Sequence, residues 1–393
     1  MKPALTVPEP VAMVGRRLSR WREARLDDPR HSDRVAAILG ALLGVSFLVC
    51  FLTGLLSHLI QHPPSWFSWT TRPAGLYRVT QGLHVATGVA TIPLLFAKLW
   101  SVFPRLFRWP VADNALHAIE RLSLLTLIGG SLFMVTTGVA NIELWYPWVF
   151  FFPAGHYAVS FVVMGSLVIH ATAKWATARR ELRRHPAGPR EPALSVAGRR
   201  RFLGAVGATS AALVVATVGQ TVSPLRKLSI LAPRRPDIGV QGFPVNRTAV
   251  EAGVTDTAQD PGFALAVETG GETLRTFTLT ELGELPQRSA TLPISCVEGW
   301  STSQTWDGVP VRDILDRAGA PAGRSVRVES LEGGGRYRSS DLTPGQIDDA
   351  DTILAMRVKG EQLHVDHGFP LRLIAPNRPG VLQTKWVVKL VVS

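Results

Sequence analysis

The stretch Leu292-Pro293-Ile294-Ser295-Cys296-Val297-Glu298-Gly299-Trp300-Ser301 decides how the second half of this chain is read. Its sulfur stands where a short apolar run gives way to a glycine-containing turn, a strand-to-loop boundary. A single cysteine there reads as a buried core residue, a nucleophile, or a soft ligand for a metal. The other cysteine, Cys50, lies inside a long apolar run. The two are not expected to meet, and two cysteines make no disulfide framework.

Downstream of the cysteine come Trp306-Asp307-Gly308-Val309-Pro310-Val311-Arg312-Asp313-Ile314-Leu315, then Asp366-His367-Gly368-Phe369-Pro370-Leu371-Arg372, then Gln383-Thr384-Lys385-Trp386. Short apolar runs at Phe263–Val267, Ser325–Val328, Thr352–Met356, Leu371–Ile374 and Trp386–Val392 predict strands. Gly, Pro and Asp turns separate them, including Glu332-Gly333-Gly334-Gly335, and Val311–Ala318 predicts one short helix. The class is α+β. Pro233-Arg234-Arg235-Pro236 marks the linker into this domain, residues 224–393.

The first half differs in kind. The 393 residues are 46% apolar and only 18% charged, with a mean hydropathy of +0.16, which points to membrane spans and excludes disorder. Apolar stretches at Val35–Ile60, Val79–Phe103, Leu116–Ile142, Pro153–Ala173 and Phe202–Val222 each reach the ~20 residues that cross a hydrocarbon core. The net charge of +12 does not imply nucleic acid, because the positive residues bunch between these runs. Eight fall in residues 1–34 and nine between Lys174 and Arg201, but two in Gln61–Arg78 and none in Asn141–Gly155. The positive-inside rule then places the N-terminus in the cytoplasm and the C-terminal domain outside the cytoplasmic membrane. Trp66, Trp69, Trp145, Tyr146 and Trp148 supply an aromatic belt in the outer loops.

The expected organisation is a multidomain chain. A basic cytoplasmic tail (1–34) precedes a four-helix, cytochrome b-like membrane domain (35–178) and a basic linker (179–201). A fifth transmembrane or anchor helix (202–223) follows, then the extracytoplasmic domain (224–393). The linker ends in Arg199-Arg200-Arg201-Phe202-Leu203, which resembles a twin-arginine export signal. Such a signal implies a domain that folds, and receives a cofactor, before export.

Histidines mark both sides of the bundle. His58, His84 and His156 lie toward the outer surface, His117 and His170 toward the inner. On one helix the 14-residue step from His156 to His170 leaves about 40° of azimuth and about 21 Å of height between them. One helix face thus offers an imidazole near each membrane surface, as a pair of b-type haems requires. His84 with His156 is the outer candidate, with His58 as a substitute, and His117 with His170 the inner one. This spacing resembles small four-helix dihaem cytochromes b, with the departure that Lys98 stands 14 residues after His84 where a histidine would complete the pattern.

The blocks around Cys296, His367 and Lys385, in that order, resemble the sulfite-oxidase fold of molybdopterin enzymes, closest to the periplasmic methionine sulfoxide reductase catalytic subunit, over about Asp237–Val392. The resemblance implies a molybdenum-molybdopterin cofactor with Cys296 as its protein thiolate ligand. It also implies His367, Arg372 and Lys385, with the backbone near Gln383 and Thr384, as holders of the pterin and its phosphate, and Asn246 as a further contact. Ala249 replaces a tyrosine of that family. Thiolate donation suits molybdenum, and Arg372 and Lys385 suit a dianionic phosphate.

The reaction implied is oxygen-atom transfer. Sulfite oxidisers carry arginines just after the cysteine; here Glu298 and Trp300 stand there, a composition that disfavours an anion and suits a neutral S-oxide or N-oxide. Arg336 and Arg338 would reverse that preference by folding over the site. The expected enzyme takes electrons from the quinone pool through haem b and reduces a small or protein-bound oxidised substrate, with no nucleic-acid partner. Sulfite dehydrogenase and a non-catalytic binding module on a membrane anchor are the alternatives.

Overall fold

The computed structural model describes Met13 and residues 28–106, 115–183 and 193–393. The tail preceding residue 28, apart from Met13, and parts of two basic links lie outside the described residues. Among the described residues five helices are long and apolar enough to cross a membrane: α1 (Asp33–Gln61), α2 (Leu76–Leu106), α3 (Ala115–Ile142), α4 (Phe152–Arg183) and α5 (Ala193–Val218). The first four each contain one predicted stretch, and α5 ends at Val218, four residues short of the fifth. α4 runs ten residues past its apolar core because Lys174–Arg183 is rich in good helix formers. α5 starts nine residues earlier than predicted, so Arg199–Arg201 lie inside the helix rather than at its mouth.

The chain divides into two compact units. One combines Met1–Leu52 with His84–Thr217; the other combines Thr53–Leu83 with Val218–Ser393. This partition cuts across the linear division at residue 224, because the end of α1, the loop after it and the start of α2 pack with the C-terminal domain.

In the first unit, small residues let helices approach closely. A Cβ on Gly130 of α3 would lie 2.6 Å from Val163 Cγ2 of α4, and Thr126 and Ser166 hydroxyls on the same two helices are 2.7 Å apart. Close backbone approach and hydroxyl pairing are how apolar helices associate without a hydrophobic driving force between them. Lys98 Nζ donates to Ala36 O at 2.6 Å, which gives this ammonium a carbonyl partner from α1.

The second unit contains two five-stranded sheets. In the first, the order is β2 (Glu272–Thr278), β1 (Ala264–Thr269), β10 (Val387–Val392), β5 (Val326–Ser330), β6 (Ser339–Leu342), with β1 and β10 parallel and the other pairs antiparallel. In the second, β3 (Arg288–Ser295), β4 (Ser301–Pro310), β7 (Ile353–Val358) and β8 (Glu361–Gln362) run in order, and β9 (Arg372–Ile374) also pairs with β7. Two helices complete the frame: α6 (Leu279–Glu284), opened by a Thr278–Glu281 capping box, and α7 (Val311–Arg317).

Strand alternation explains why the second sheet is buried on both faces. On β7, Leu354 joins a core shared with Leu265, Val328 and Leu390 of the first sheet, while Ile353 and Ala355 turn to a second core with Leu292, Ile294, Cys296, Trp306 and Phe243. Leu373 and Ile374 of β9 divide the same way. Gly308 of β4 is obligatory where the register shifts: a Cβ there would sit 2.1 Å from Leu354 O.

Candidate functional site

β3 ends at Ser295 and the chain turns at once. Gly299 N–H closes on Cys296 O at 3.2 Å with Gly299 at φ +90°, and Cys296 N–H donates to Trp300 O at 2.9 Å. This turn places the Cys296 sulfur on the second core, 4% exposed, among polar partners. Asn246 Nδ2 donates to the sulfur at 2.8 Å and to Glu298 Oε1 at 3.1 Å. Burial pushes the Cys296 thiol up, the neighbouring Glu298 adds to that, and hydrogen bonds from Glu298 N–H and Asn246 oppose it. Such a sulfur is inert as a free nucleophile at neutral pH, and a cation bound to it would reverse the balance.

Glu298 does not face the site as a bare anion, as its position after the cysteine suggested. Its Oε2 lies 3.3 Å from Arg234 Nε and accepts Trp300 Nε1–H at 3.2 Å. Burial raises the Glu298 carboxyl and Arg234 opposes it. Trp300 is itself 4% exposed, held in the core by that bond. Arg234 went unrecognised because the Pro-Arg-Arg-Pro segment reads as linker; its Nη1 also donates to Val245 O at 2.9 Å, one residue before Asn246.

A second group of residues adjoins the same core. His367 stacks on Phe243 with ring centroids 3.7 Å apart, and its Nε2–H donates to Val240 O at 2.7 Å. Arg372 Cζ lies 5.5 Å from the Trp306 ring centroid, and its Nη1 donates to His367 O at 3.1 Å. Lys385 Nζ donates to Asp366 O at 2.8 Å and to Arg247 O. Gly368, at φ +108°, makes this possible: a Cβ there would meet Lys385 Cβ at 3.0 Å and Arg372 Cβ at 3.2 Å. Thr384 Oγ1 is 2.8 Å from Ser340 Oγ, and Gln383 Nε2 reaches Pro293 O at 3.5 Å, on the strand leading to Cys296.

The electrostatics of this group point to an anion. Burial, then Arg372, depresses His367 to about 3; burial, then Arg372, depresses Lys385 to about 7; burial alone lowers Arg372 to about 10. Arg372 Nε and Gln383 Oε1 are buried without a hydrogen-bond partner. The depressed basic groups and the orphaned Arg372 Nε–H are satisfied by a negatively charged group, and the orphaned Gln383 Oε1 by an N–H or O–H donor. A phosphate-bearing pterin fits this donor set, and a soft metal fits the sulfur.

The first unit carries His84, His156 and His170, while His58 belongs to the second. His84 Nδ1–H donates to Cys50 O at 2.9 Å. Thr137 spends its hydroxyl proton on Phe133 O at 2.7 Å, so His156 Nδ1–H donates to Thr137 Oγ1 at 3.1 Å. Both rings therefore carry their lone pair on Nε2, the tautomer a metal takes. Their centroids are 6.4 Å apart. Two imidazoles sharing one metal at ~2 Å per nitrogen have centroids about 6 Å apart, a separation close to that of this pair. Gly138 gives room beside His156, since a Cβ there would reach its Cε1 at 3.8 Å. His58 instead neighbours His62, with centroids 5.0 Å apart. His170 Nδ1 is buried without a hydrogen-bond partner. The side chain of His117 lies outside the described residues.

Residues 252–393 match the family described as Oxidoreductase molybdopterin binding domain. A nitrate reductase [NAD(P)H] of Betula pendula is 40% identical over 105 residues, 24% of this chain and 12% of that protein. A sulfite oxidase of Arabidopsis thaliana is 34% identical over 107 residues, 23% of this chain and 27% of that protein. The chain thus spans about an eighth to about a quarter of the length of these curated relatives. A solved structure, the sulfane dehydrogenase SoxCD from Paracoccus pantotrophus, aligns over 34% of this chain and 38% of that chain at 24% identity with a TM-score of 0.31. The match includes Cys296, His367, Arg372 and Lys385; Asn246 and Arg234 precede it.

Proposed function

We propose, from the match of residues 252–393 to the molybdopterin binding domain and their similarity to a sulfite oxidase, that the whole chain is a membrane-anchored oxygen-atom-transfer enzyme. It reduces a neutral S-oxide or N-oxide, such as methionine sulfoxide, outside the cytoplasm. Electrons reach it from the quinone pool through haem b held by His84 and His156. The observation that carries the substrate class is the Arg234–Glu298 pair: the carboxylate standing two residues after the cysteine is committed to a guanidinium, which leaves the pair neutral toward an incoming substrate.

Bound at Cys296, the molybdenum cofactor supplies two-electron oxygen-atom exchange. The chain's own residues do the rest. Asn246 and the Glu298 N–H hold the sulfur's orientation and spread its charge. Arg372, Lys385 and the Gln383 side chain accommodate the pterin and its phosphate. Trp300, locked to Glu298, keeps that carboxylate and Arg234 in register and excludes water from the cysteine turn.

The test is metal and pterin analysis of detergent-purified protein, a reduced-minus-oxidised optical spectrum, and turnover of methionine sulfoxide against sulfite with artificial redox partners. Molybdenum at about one per chain, a b-type spectrum lost in His156→Ala, and faster sulfoxide reduction than sulfite oxidation are expected. A faster sulfite reaction overturns the direction; a molybdenum-free protein from a cofactor-competent host leaves a binding module.

A further inference from the structure

Gln81 serves neither the cation group nor the histidine pair, yet its side chain is 6% exposed in the second unit. Its Nε2 donates to Val297 O at 3.1 Å. Val297 stands between the cysteine and Glu298 in the turn that Gly299 N–H closes on Cys296 O at 3.2 Å. This turn is therefore held from two sides, by the Gln81 amide on Val297 O and by Asn246 on the sulfur and on Glu298 Oε1. The amide is itself fixed. Tyr77, 1% exposed, donates its hydroxyl toward Gln81 Oε1 at 3.5 Å and lies 3.1 Å from Ser57 Oγ, which accepts Gln61 Nε2–H at 3.1 Å. Tyr77 N–H donates to Asn377 Oδ1 at 2.7 Å.

We infer that Gln81 is a positioning residue for the molybdenum-binding cysteine: it pins the Val297 carbonyl in the turn that carries Cys296 and Glu298, and the Thr53–Leu83 segment thereby fixes the orientation of a ligand it does not supply. The metal part of this rests on the proposed molybdenum reading. Hydrogen bonds to a ligating sulfur draw off its electron density and alter the metal's electronic signature and potential.

The experiment uses the full chain in detergent with Gln81→Leu and the near-isosteric Gln81→Glu, which keeps the acceptor and removes the donor once its carboxyl is ionised. Both are expected to retain wild-type molybdenum content and to melt a few degrees lower, the cost of one buried hydrogen bond. Amide exchange in the 297–300 peptide should rise about tenfold, the equivalent of one lost hydrogen bond. The Mo(V) electron paramagnetic resonance signal should shift, and kcat should fall with KM unchanged. Unchanged exchange together with an unchanged Mo(V) signal overturns the inference. Exchange is read whether or not metal is bound, so a molybdenum-free wild type refutes the cofactor reading and leaves the hydrogen bond from Gln81 separately decided. If Gln81→Leu does not fold, Gln81→Glu decides.

Discussion

At the residue scale the sharpest expectation concerns sulfur. Cys296→Ser should keep the fold, since the hydroxyl can still accept from Asn246, and should lower turnover by about three orders of magnitude or more, ~4 kcal/mol of barrier. Circular dichroism with steady-state assay checks it. Glu298→Gln should release Arg234 toward substrate and raise sulfite turnover relative to methionine sulfoxide by about tenfold, ~1.4 kcal/mol of discrimination; an unchanged ratio removes the charge argument. His367 makes a pH prediction. Its folded pKa is depressed to about 3 from the ordinary 6.5, so below 6.5 the unfolded chain binds a proton that the folded chain refuses until near 3. Stability is full above 6.5 and falls as pH drops through that window. Between pH 6.5 and 4 the wild-type melting temperature should drop about 5 °C more than that of His367→Gln.

At the element scale, two of the strands legible in the sequence have apolar residues on both faces, while β5 reads by alternation, with Val326 and Val328 buried and Arg327 exposed. Ile353-Leu354-Ala355 and Leu371–Ile374 are continuous apolar runs because the second sheet is covered on both sides. β2 was missed because its first five residues are exposed and four of them polar, and β4 because Gln304 and Trp306 point inward between exposed Ser303 and Thr305 in a pattern of low hydrophobicity. The cysteine's strand-to-loop position was legible; the partners of its turn were not, since Asn246 was read as a pterin contact rather than a partner of the sulfur, and Arg234 comes from a segment that reads as linker. Gly368 shows what a single backbone requirement contributes. Gly368→Ala should cost about 1–3 kcal/mol from the positive φ and push Lys385 from Arg372, lowering pterin content in proportion. Cofactor stoichiometry after purification measures this.

At the scale of the whole molecule, the division of the chain into units could not be read along the sequence, because residues 53–83 join a domain that begins more than a hundred residues later. The join is chemically specific. Asn377, at φ +56°, donates N–H to Ala74 O at 3.1 Å and Nδ2–H to Thr70 O at 2.7 Å, accepts Tyr77 N–H on Oδ1, and accepts Trp69 Nε1–H on its carbonyl at 2.9 Å. Arg72 adds ion pairs to Asp349 at 2.8 Å and Asp351 at 2.6 Å, and Arg288 shares Asp351 at 2.8 Å. Asn377→Ala leaves the Tyr77 N–H and Thr70 carbonyl unpartnered and should destabilise the second unit by about 2–4 kcal/mol, visible as a lower urea midpoint by tryptophan fluorescence.

The place of β10 has a consequence for timing. It is the last of the ten strands to leave the ribosome, yet it lies in the middle of its sheet, parallel to β1 and antiparallel to β5. The two halves of that sheet cannot join while translation is under way, so the scaffold around the cysteine closes only after synthesis has passed residue 392. A nascent chain stalled ahead of that strand would be protease-sensitive throughout the domain, and metal loading would be a post-translational event by construction.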